Sequence, residues 1–269
     1  MKVLLLDGYN LMYRARHSMS RGYEGSQTTV YAFFRSLRPI IEKFAPDRVY
    51  FVLEGYPKTR MQICPDYKGN RVYHDRDGFR AQRREITDIL KHQFPIDVIR
   101  HKNFECDDVL ANLIRYEHPT DECIVVSSDS DFLQLYNSHT DVHVYNPVRK
   151  KFMPRPEFDY VKWKALRGDA SDNILGFKGI GNKRATTMVN DISRLDEFLD
   201  KGPGNREYFE RNISMIQFHD MKNDLEGADR WSQRVSWDKI RGRFEGLKFF
   251  SITNDKSWQK YVETFKCLE

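Results

Sequence analysis

The sequence predicts an α/β protein: a central, mostly parallel sheet flanked by helices, followed by a helical region. Three observations carry this expectation. Short apolar runs at residues 3–6, 49–53 and 124–126 are rich in Val, Leu, Ile and aromatics and are stopped by glycine or polar clusters, as strands buried on both faces are. Helical patterns separate these runs, which is the order of βαβ units. Beyond Pro154 and Pro156 the apolar spacing turns helical and no strand pattern is evident.

In chain order, the first strand ends at Asp7, a helix follows over about 28–44, and a second strand ends at Glu54. Residues 67–84 lack apolar periodicity and are rich in Arg, Gly and Asp, so they read as an exposed loop or arch. Then come a helix over 84–93, a strand over 97–100, a helix over 105–117, a strand ending at 126, a helix over 130–136 and a last strand over 142–145. The two prolines divide the chain into 1–155, an α/β unit with its basic arch at about 67–92, and 156–269, a helical unit. In the second unit a glycine-rich turn at 176–181 lies between helical stretches, residues 201–204 break the chain again, and the tail is amphipathic, aromatic and weakly patterned. There is no internal repeat and no low-complexity segment.

With 269 residues, 40% of them hydrophobic, the chain can bury a sizeable core. Its N-terminal apolar run is interrupted at Asp7 and is far too short for a signal peptide or a membrane span, so an intracellular, cytoplasmic protein is expected. The four cysteines form no CxxC pair, so neither a thiolate zinc site nor a disulfide framework is suggested; burial as small apolar residues is expected. Net charge is +5, and between Lys58 and Lys102 eleven Lys or Arg face six Asp or Glu, an excess equal to that of the whole chain. A basic segment beside acids suits a partner that is a polyanion, although a solvated helix face would look the same.

The acids carry the chemistry. Asp7, Glu54, Asp129 and Asp131 sit at or just after the downstream ends of the strand runs, and in open α/β sheets the functional crevice lies outside those ends. Two unit charges about 4 Å apart repel by roughly 4 kcal/mol at an effective dielectric near 20, so such a cluster needs cations, protons or basic partners. Glu105-Cys106-Asp107-Asp108 opens a helix just after the strand over 97–100, which brings its acids to the same edge; taken alone these acids could simply cap the helix. Oxygen-only ligation points to magnesium or manganese. Gly168-Asp169-Ala170-Ser171-Asp172-Asn173 is followed by Gly176-Phe177-Lys178-Gly179-Ile180-Gly181-Asn182-Lys183-Arg184, where glycines ahead of a helix let backbone amides approach a phosphate and two cations add charge.

Asp7-Gly8, Tyr67-Lys68-Gly69-Asn70-Arg71, Glu105-x-Asp107-Asp108, Asp129-x-Asp131 and Gly168-Asp169-x-x-Asp172-Asn173 with the GxGxKR turn occur in the order and approximate spacing of the flap endonuclease and 5′–3′ exonuclease family. The sequence resembles the compact, polymerase-free phage type from its start to about residue 199, with a weaker echo at 247–251. The resemblance implies a PIN-like, resolvase-like nuclease domain with a helix-three-turn-helix region. It also implies a two-metal nuclease that acts on DNA with 5′ flaps, nicks or free 5′ ends, and on RNA–DNA hybrids, leaving 5′-phosphate products. By position, Asp7, Glu54, Glu105 and Asp107 would surround one Mg2+ or Mn2+, with Asp107 reaching both ions; Asp129, Asp131 and Asp172 would hold the second, and Asp108 and Asp169 would act partly through water. In the two-metal scheme the ions lie about 3.5–4 Å apart, one activating the attacking water and both stabilising charge on the in-line phosphate. Lys68 would approach the scissile phosphate with Arg71 beside it, and Tyr67 would stack on a base. Arg71, Arg80, Arg83 and Arg84 would line an arch for a single-stranded flap. Gly179, Gly181, Lys183 and Arg184 would grip duplex backbone, with a potassium ion held by carbonyls of that turn. A monomer, a replication-protein partner for the tail, no membrane, and a phage gene expressed in a bacterial host complete the expectation.

One departure stands out. Where the family usually has Asp at the end of the second strand, this chain has Glu54, one methylene longer. Two other readings compete: a PIN-like ribonuclease, which would lack the GxGxKR turn, and a catalytically weak DNA-junction binding protein, which would not need so many acids.

Overall fold

The computed structural model describes residues 1–18, 23, 25–71, 78–232 and 235–269. The chain opens with β1 (Lys2–Asp7), whose Val3 to Leu6 side chains are wholly buried, and turns directly into α1 (Gly8–Arg16). Helix α2 (Thr28–Phe44) buries Val30, Phe33, Phe34, Leu37, Ile40, Ile41 and Phe44, the spacing of one helical face, and leads into β2 (Arg48–Leu53). After the short α3 (Lys58–Ile63) come α4 (Phe79–Gln93), β3 (Asp97–Arg100), α5 (Cys106–Asn112), β4 (Glu122–Val126), β5 (Val142–Asn146) and β6 (Lys151–Phe152). The remainder comprises α6 (Tyr160–Arg167), a two-stranded ribbon of β7 (Gly168–Asp169) and β8 (Ile174–Leu175), α7 (Asn182–Val189), α8 (Ile192–Lys201), α9 (Asn205–Ile216), β9 (Asp229–Trp231), α10 (Trp237–Gly246), α11 (Phe250–Thr253) and α12 (Asp255–Phe265).

Among the described residues seven strands form one sheet in the order β6-β5-β4-β1-β2-β3-β9. The five central strands run parallel, and β6 and β9 close the edges antiparallel, so the expected mostly parallel sheet flanked by helices is what the chain builds. Asp7 pairs with Val52 and Leu6 with Val126, which fixes the downstream ends of β1, β2 and β4 at one edge. On one face α1, α2, α4 and α10 to α12 cover the sheet through Phe33, Phe34, Phe94, Phe244 and Phe249; on the other, α5 packs through Val109, Leu110 and Leu113. A third apolar cluster, with Leu166, Ala185, Leu199 and Phe209 at its centre, holds α6 to α9 together.

Several elements depart from the sequence expectation. Helix α4 begins at Phe79 rather than 84, because Phe79 packs against Tyr13 and Gln82 accepts a hydrogen bond from the Thr29 amide at 2.8 Å, two buried anchors inside an arginine-rich run. Of the expected arch, residues 72–77 lie outside the described residues. The helix expected over 105–117 is α-helical to Asn112 and then widens into a π turn over Leu113–Glu117, while 130–136 forms a 3-10 helix, Ser130–Asn137. Strands do occur beyond residue 156: β7 and β8 are too short to show a period, and β9 is fixed by pairing with the distant β3. The tail packs back onto α2, where Tyr261 donates to the Phe34 carbonyl. Among the described residues no helix is long and apolar enough to cross a membrane. All four cysteines are free; Cys106 and Cys123 are buried as expected, and Cys267 is exposed.

Candidate metal centre and nucleic-acid interface

The site grows from the downstream edge of the sheet. Asp7 ends β1 and caps α1, accepting from the Asn10 amide (3.1 Å) and, on its other oxygen, from Ser127 Oγ (2.7 Å) at the end of β4. Burial, with Asp129 adding to it, pushes its carboxyl up to about 6 against those hydrogen bonds. Glu54, just past β2, accepts from the Cys106 amide at 3.2 Å, and burial followed by the Glu105 charge pushes it up to about 7. The longer side chain therefore still joins the acidic edge.

Helix α5 contributes three acids with different fates. Asp107 is raised well above the usual carboxylate range by burial and then by Asp7, Asp129 and Glu54, so these four carboxyls sense one another. Glu105 caps the helix and accepts from Arg60 Nη1 (2.7 Å), from the Tyr67 hydroxyl (3.1 Å) and from Lys68 Nζ. Asp108 is placed otherwise than the resemblance implies. It is fully buried, both its oxygens are taken by the Arg60 guanidinium (2.6 and 2.9 Å), and one also accepts from the His219 amide (2.9 Å). Its oxygens face the buried Arg60 cation rather than the other acids.

The second group is tighter. Oxygens of Asp131, Asp169 and Asp172 lie within 4.8 Å of one another, the one group of three with ligand spacing found among the described residues. Asp7, Glu54, Glu105 and Asp107 are not closed to that spacing. Two close backbone approaches shape the ribbon that carries Asp169 and Asp172: at Gly168, whose φ is +81°, a Cβ would meet the Gly176 amide nitrogen at 2.3 Å and the Ile174 carbonyl oxygen at 2.6 Å, so the 168–176 ribbon admits no side chain at its crossing. Lys164 of α6, 4% exposed, sits against this group, with Nζ on Asp131 and 2.6 Å from Asp169. Burial pushes the Asp131 carboxyl up to about 6 against the pull of Lys164, with Asp129 raising it further. For Asp169 the balance reverses: burial would raise it, but Lys164 and Ser171 hold it below the usual range. Exposed Asp129, which raises Asp7, Asp107 and Asp131, links the two groups.

Tyr67, Lys68 and Arg71 lie over the acids. The Tyr67 ring is 5% exposed and packed in the third cluster, and its hydroxyl also donates to Asp172 at 3.0 Å, so it is a wedge between carboxylates and not an open stacking platform. Lys68 Nζ reaches Glu105 and lies 3.9 Å from Asp172, and burial notwithstanding, these acids and Glu54 raise its pKa. Arg71 binds Asp172 and the Ser171 carbonyl. Arg80, Arg83 and Arg84 lie on α4 and front a separate cavity bordered by Glu54. Gly179 has φ +78° with open space where a Cβ would be, and Gly181, Lys183 and Arg184 are exposed at the start of α7.

Sequence reasoning missed Arg60 and Lys164. Lys164 had a signal, since it falls in the buried face of a helix with Tyr160, Ala165 and Leu166. Arg60 had none, because its partners lie 45, 48 and 155 residues away.

The carboxylates fit a divalent cation. Among the described residues nine acids, Asp108 included, meet four cations, Arg60, Lys68, Arg71 and Lys164, and several of the acids are pushed toward protonation by burial first and by neighbouring carboxylates second. Their donors are oxygen alone, which suits hard ions such as magnesium.

Residues 2–164 match the family model of the N-terminal resolvase-like domain of 5′–3′ exonucleases. The chain is 26% identical over 211 residues to a 5′–3′ exonuclease of Mycoplasmopsis pulmonis, covering 74% of this chain and 69% of that protein. It is 33% identical over 282 residues to a thermostable DNA polymerase I of Thermus thermophilus, covering 94% of this chain and 33% of the polymerase, so it spans about a third of that relative. The fold is also that of the bacteriophage T5 flap endonuclease solved as a pseudo-enzyme–product complex with DNA and metal ions, at TM-score 0.63 and 16% identity, covering 100% of this chain and 99% of that one. This chain belongs to the flap endonuclease and 5′–3′ exonuclease family, whose members are metal-dependent phosphodiester hydrolases.

Proposed function

We propose that the chain is a structure-selective 5′ nuclease that hydrolyses DNA bearing 5′ flaps, nicks or free 5′ ends, and RNA–DNA hybrids, to 5′-phosphate products. The observation that carries the reading is the convergence of Asp131, Asp169 and Asp172 beside Asp7, Glu54 and Asp107, each raised by burial and then by neighbouring carboxylates, at the edge where β1, β2 and β4 end. Two Mg2+ or Mn2+ ions bound there would supply Lewis acidity and an activated water. Asp7, Glu54, Glu105 and Asp107 would serve one ion, and Asp129, Asp131 and Asp172 the other, with Asp169 steadied by Lys164 and Ser171. Ser127 and Asn10 hold Asp7 in orientation, and Arg60 and Tyr67 do the same for Glu105.

Lys68 stays protonated at neutral pH in this surround of acids, so its role is to stabilise charge on phosphate oxygens and not to act as a base. Arg71 would assist from the Asp172 side. Residues 156–216 would form the duplex-gripping unit: the amides near Gly179 and Gly181 with Lys183 and Arg184 make a cationic turn for backbone phosphate, and carbonyls of that turn would take K+. A 5′-flap duplex labelled at its 5′ end, incubated with magnesium, tests the reading. Release of the flap as a short labelled fragment is expected; intact substrate, or cuts scattered through both strands, would overturn it.

A further inference from the structure

Several exposed arginines of the chain end on carboxylates: Arg48 on Asp97, Arg194 on Asp191, Arg206 on Asp200 and Arg243 on Glu85. Arg167, exposed in the last turn of α6, is placed otherwise. Its guanidinium lies 4.6 Å from the centre of the Trp163 ring, and one Nη donates to the Asn182 side-chain oxygen at 3.4 Å, a neutral acceptor. Among the described residues it meets no carboxylate at ion-pair distance, so its charge is not cancelled. A cation in the last turn of a helix also offsets the helix dipole, but that needs only charge, whereas this side chain is held in one place.

The platform under it is fixed. Trp163 is half-buried, packs with Phe158 and Tyr160 at ring-centre distances of 5.4 and 5.7 Å, and donates its indole N–H to the Asn182 carbonyl at 3.3 Å. The backbone is fixed as well: a Cβ on Gly176 would meet the Arg167 carbonyl carbon and oxygen at 2.1 Å, and the Phe177 amide donates to the Leu166 carbonyl at 2.8 Å. The end of α6 is therefore locked to the glycine-rich turn. An aromatic face holds a guanidinium without consuming its N–H donors, so most of the five remain available to an incoming anion.

Its place in the site gives this cation a use. Arg167 stands two residues before Asp169, about 7 Å of extended chain, and touches Asn182, the first residue of α7, which exposed Lys183 and Arg184 follow. It lies between the Asp131, Asp169 and Asp172 group on one side and the cationic turn on the other. We propose that Arg167, laid on Trp163, is a substrate-positioning residue: it takes a backbone phosphate between those held at α7 and the one to be cut, and so sets which linkage reaches the metal ions. The inference rests on the nuclease reading and adds to it a residue outside the glycine-rich turn. A strand held at the turn alone can pivot about it, whereas a second fixed contact nearer the acids removes that freedom. The contact is to phosphate, so it carries no base preference.

The test measures binding of a 5′-flap duplex in calcium at several salt concentrations, and the position of the cut in magnesium. Arg167→Gln should weaken binding by up to about fivefold, the upper range for one exposed ion pair, and make the salt slope shallower by about 1 unit. Combined with Lys183→Ala it should lose about 2 units, because the two cations hold different phosphates. With single uncharged methylphosphonate linkages placed one at a time near the cut, one linkage should weaken wild-type binding and leave Arg167→Gln binding unchanged. In magnesium the variant should spread its cuts onto neighbouring linkages. A lower Tm with an unchanged salt slope is the mark of a helix-end cation alone and would overturn the proposal. So would a double variant no weaker than Lys183→Ala, a scan that finds no such linkage, or a single unmoved cut in Arg167→Gln. If wild type shows the binding pattern and cleaves nothing in magnesium, the nuclease reading fails while the phosphate contact stands.

Discussion

Replacing Arg60 by alanine should destabilise the protein more than any single change among its surface cations. The guanidinium is 3% exposed and makes five contacts: Met215 carbonyl (2.9 Å), Glu105 (2.7 Å), Asp108 (2.6 and 2.9 Å) and Gln217 carbonyl (3.1 Å). It therefore ties α3 to α5 and to the end of α9, joining the acidic edge of the sheet to the α6 to α9 unit. Its removal leaves Asp108 wholly buried and opposite nothing positive. Breaking a buried pair by deleting one partner costs about 3–5 kcal/mol. For a chain of this size about 4 kcal/mol corresponds to a fall of roughly 8–16 °C in Tm. Urea denaturation without divalent ions is the assay, with Asp108→Asn and the double variant completing a cycle. The two single losses should be far from additive, because each variant removes the same pair. A loss under about 1 kcal/mol for Arg60→Ala would refute the reasoning, as would an Asp108→Asn protein of full stability that has lost all cleavage, since Asp108 would then be a metal ligand after all.

Further predictions concern charge. Folded pKa values of about 6 for Asp7 and Asp131 and about 7 for Glu54, against ordinary values near 4, mean that the native metal-free protein keeps protons which the unfolded chain has already released. Metal-free stability should therefore fall as pH rises from about 4 to 7, by up to about 1.4 kcal/mol per unit for each such group, and magnesium should stabilise most at the upper end. A melting series in chelator, in which Tm rose steadily over that window and Glu54→Gln left the profile unchanged, would contradict this. Lys164→Gln should destabilise the metal-free protein by about 3 kcal/mol and be rescued by magnesium more than wild type is, because Asp131 and Asp169 lose their internal cation; denaturation with and without magnesium reads the difference. Lys183→Ala should make the salt slope of duplex binding shallower by about 1 unit, as one lost phosphate contact does, and an unchanged slope would remove Lys183 from the interface.

How much of this was legible in sequence depends on the range of the interaction. Asp7, Glu54 and the acids after β4 could be placed together because buried parallel strands are recognisable from four to six residues, and their ends share an edge by topology. The start of α4 was not, since Phe79 and Gln82 are too few anchors to show a period within an arginine-rich run. Tyr67 shows a different limit. Its position within a YKGNR motif says nothing about which way the ring turns, and packing in the α6 to α9 cluster turns it inward, hydroxyl between Glu105 and Asp172. Strand β9 and Arg60 are invisible for one reason: both owe their place to partners that sequence spacing cannot bring near. Asp108 differs from its neighbour Asp107 by one position on a helix, and that 100° turn sends one carboxylate to the cleft and the other to Arg60.

If the carboxylates at the strand ends bind divalent ions for phosphodiester hydrolysis, removing one of them stops cleavage without loosening the hold on DNA. Asp129→Ala probes it most directly, because Asp129 is exposed, raises Asp7, Asp107 and Asp131, and accepts within its own turn only from the Asp131 amide. Cleavage of a 5′-flap duplex in magnesium and binding of the same duplex in calcium are measured side by side. The variant should lose cleavage while binding stays near the wild-type level. Full cleavage by the variant, or a wild-type protein that binds the flap and never cleaves it in magnesium, would contradict it.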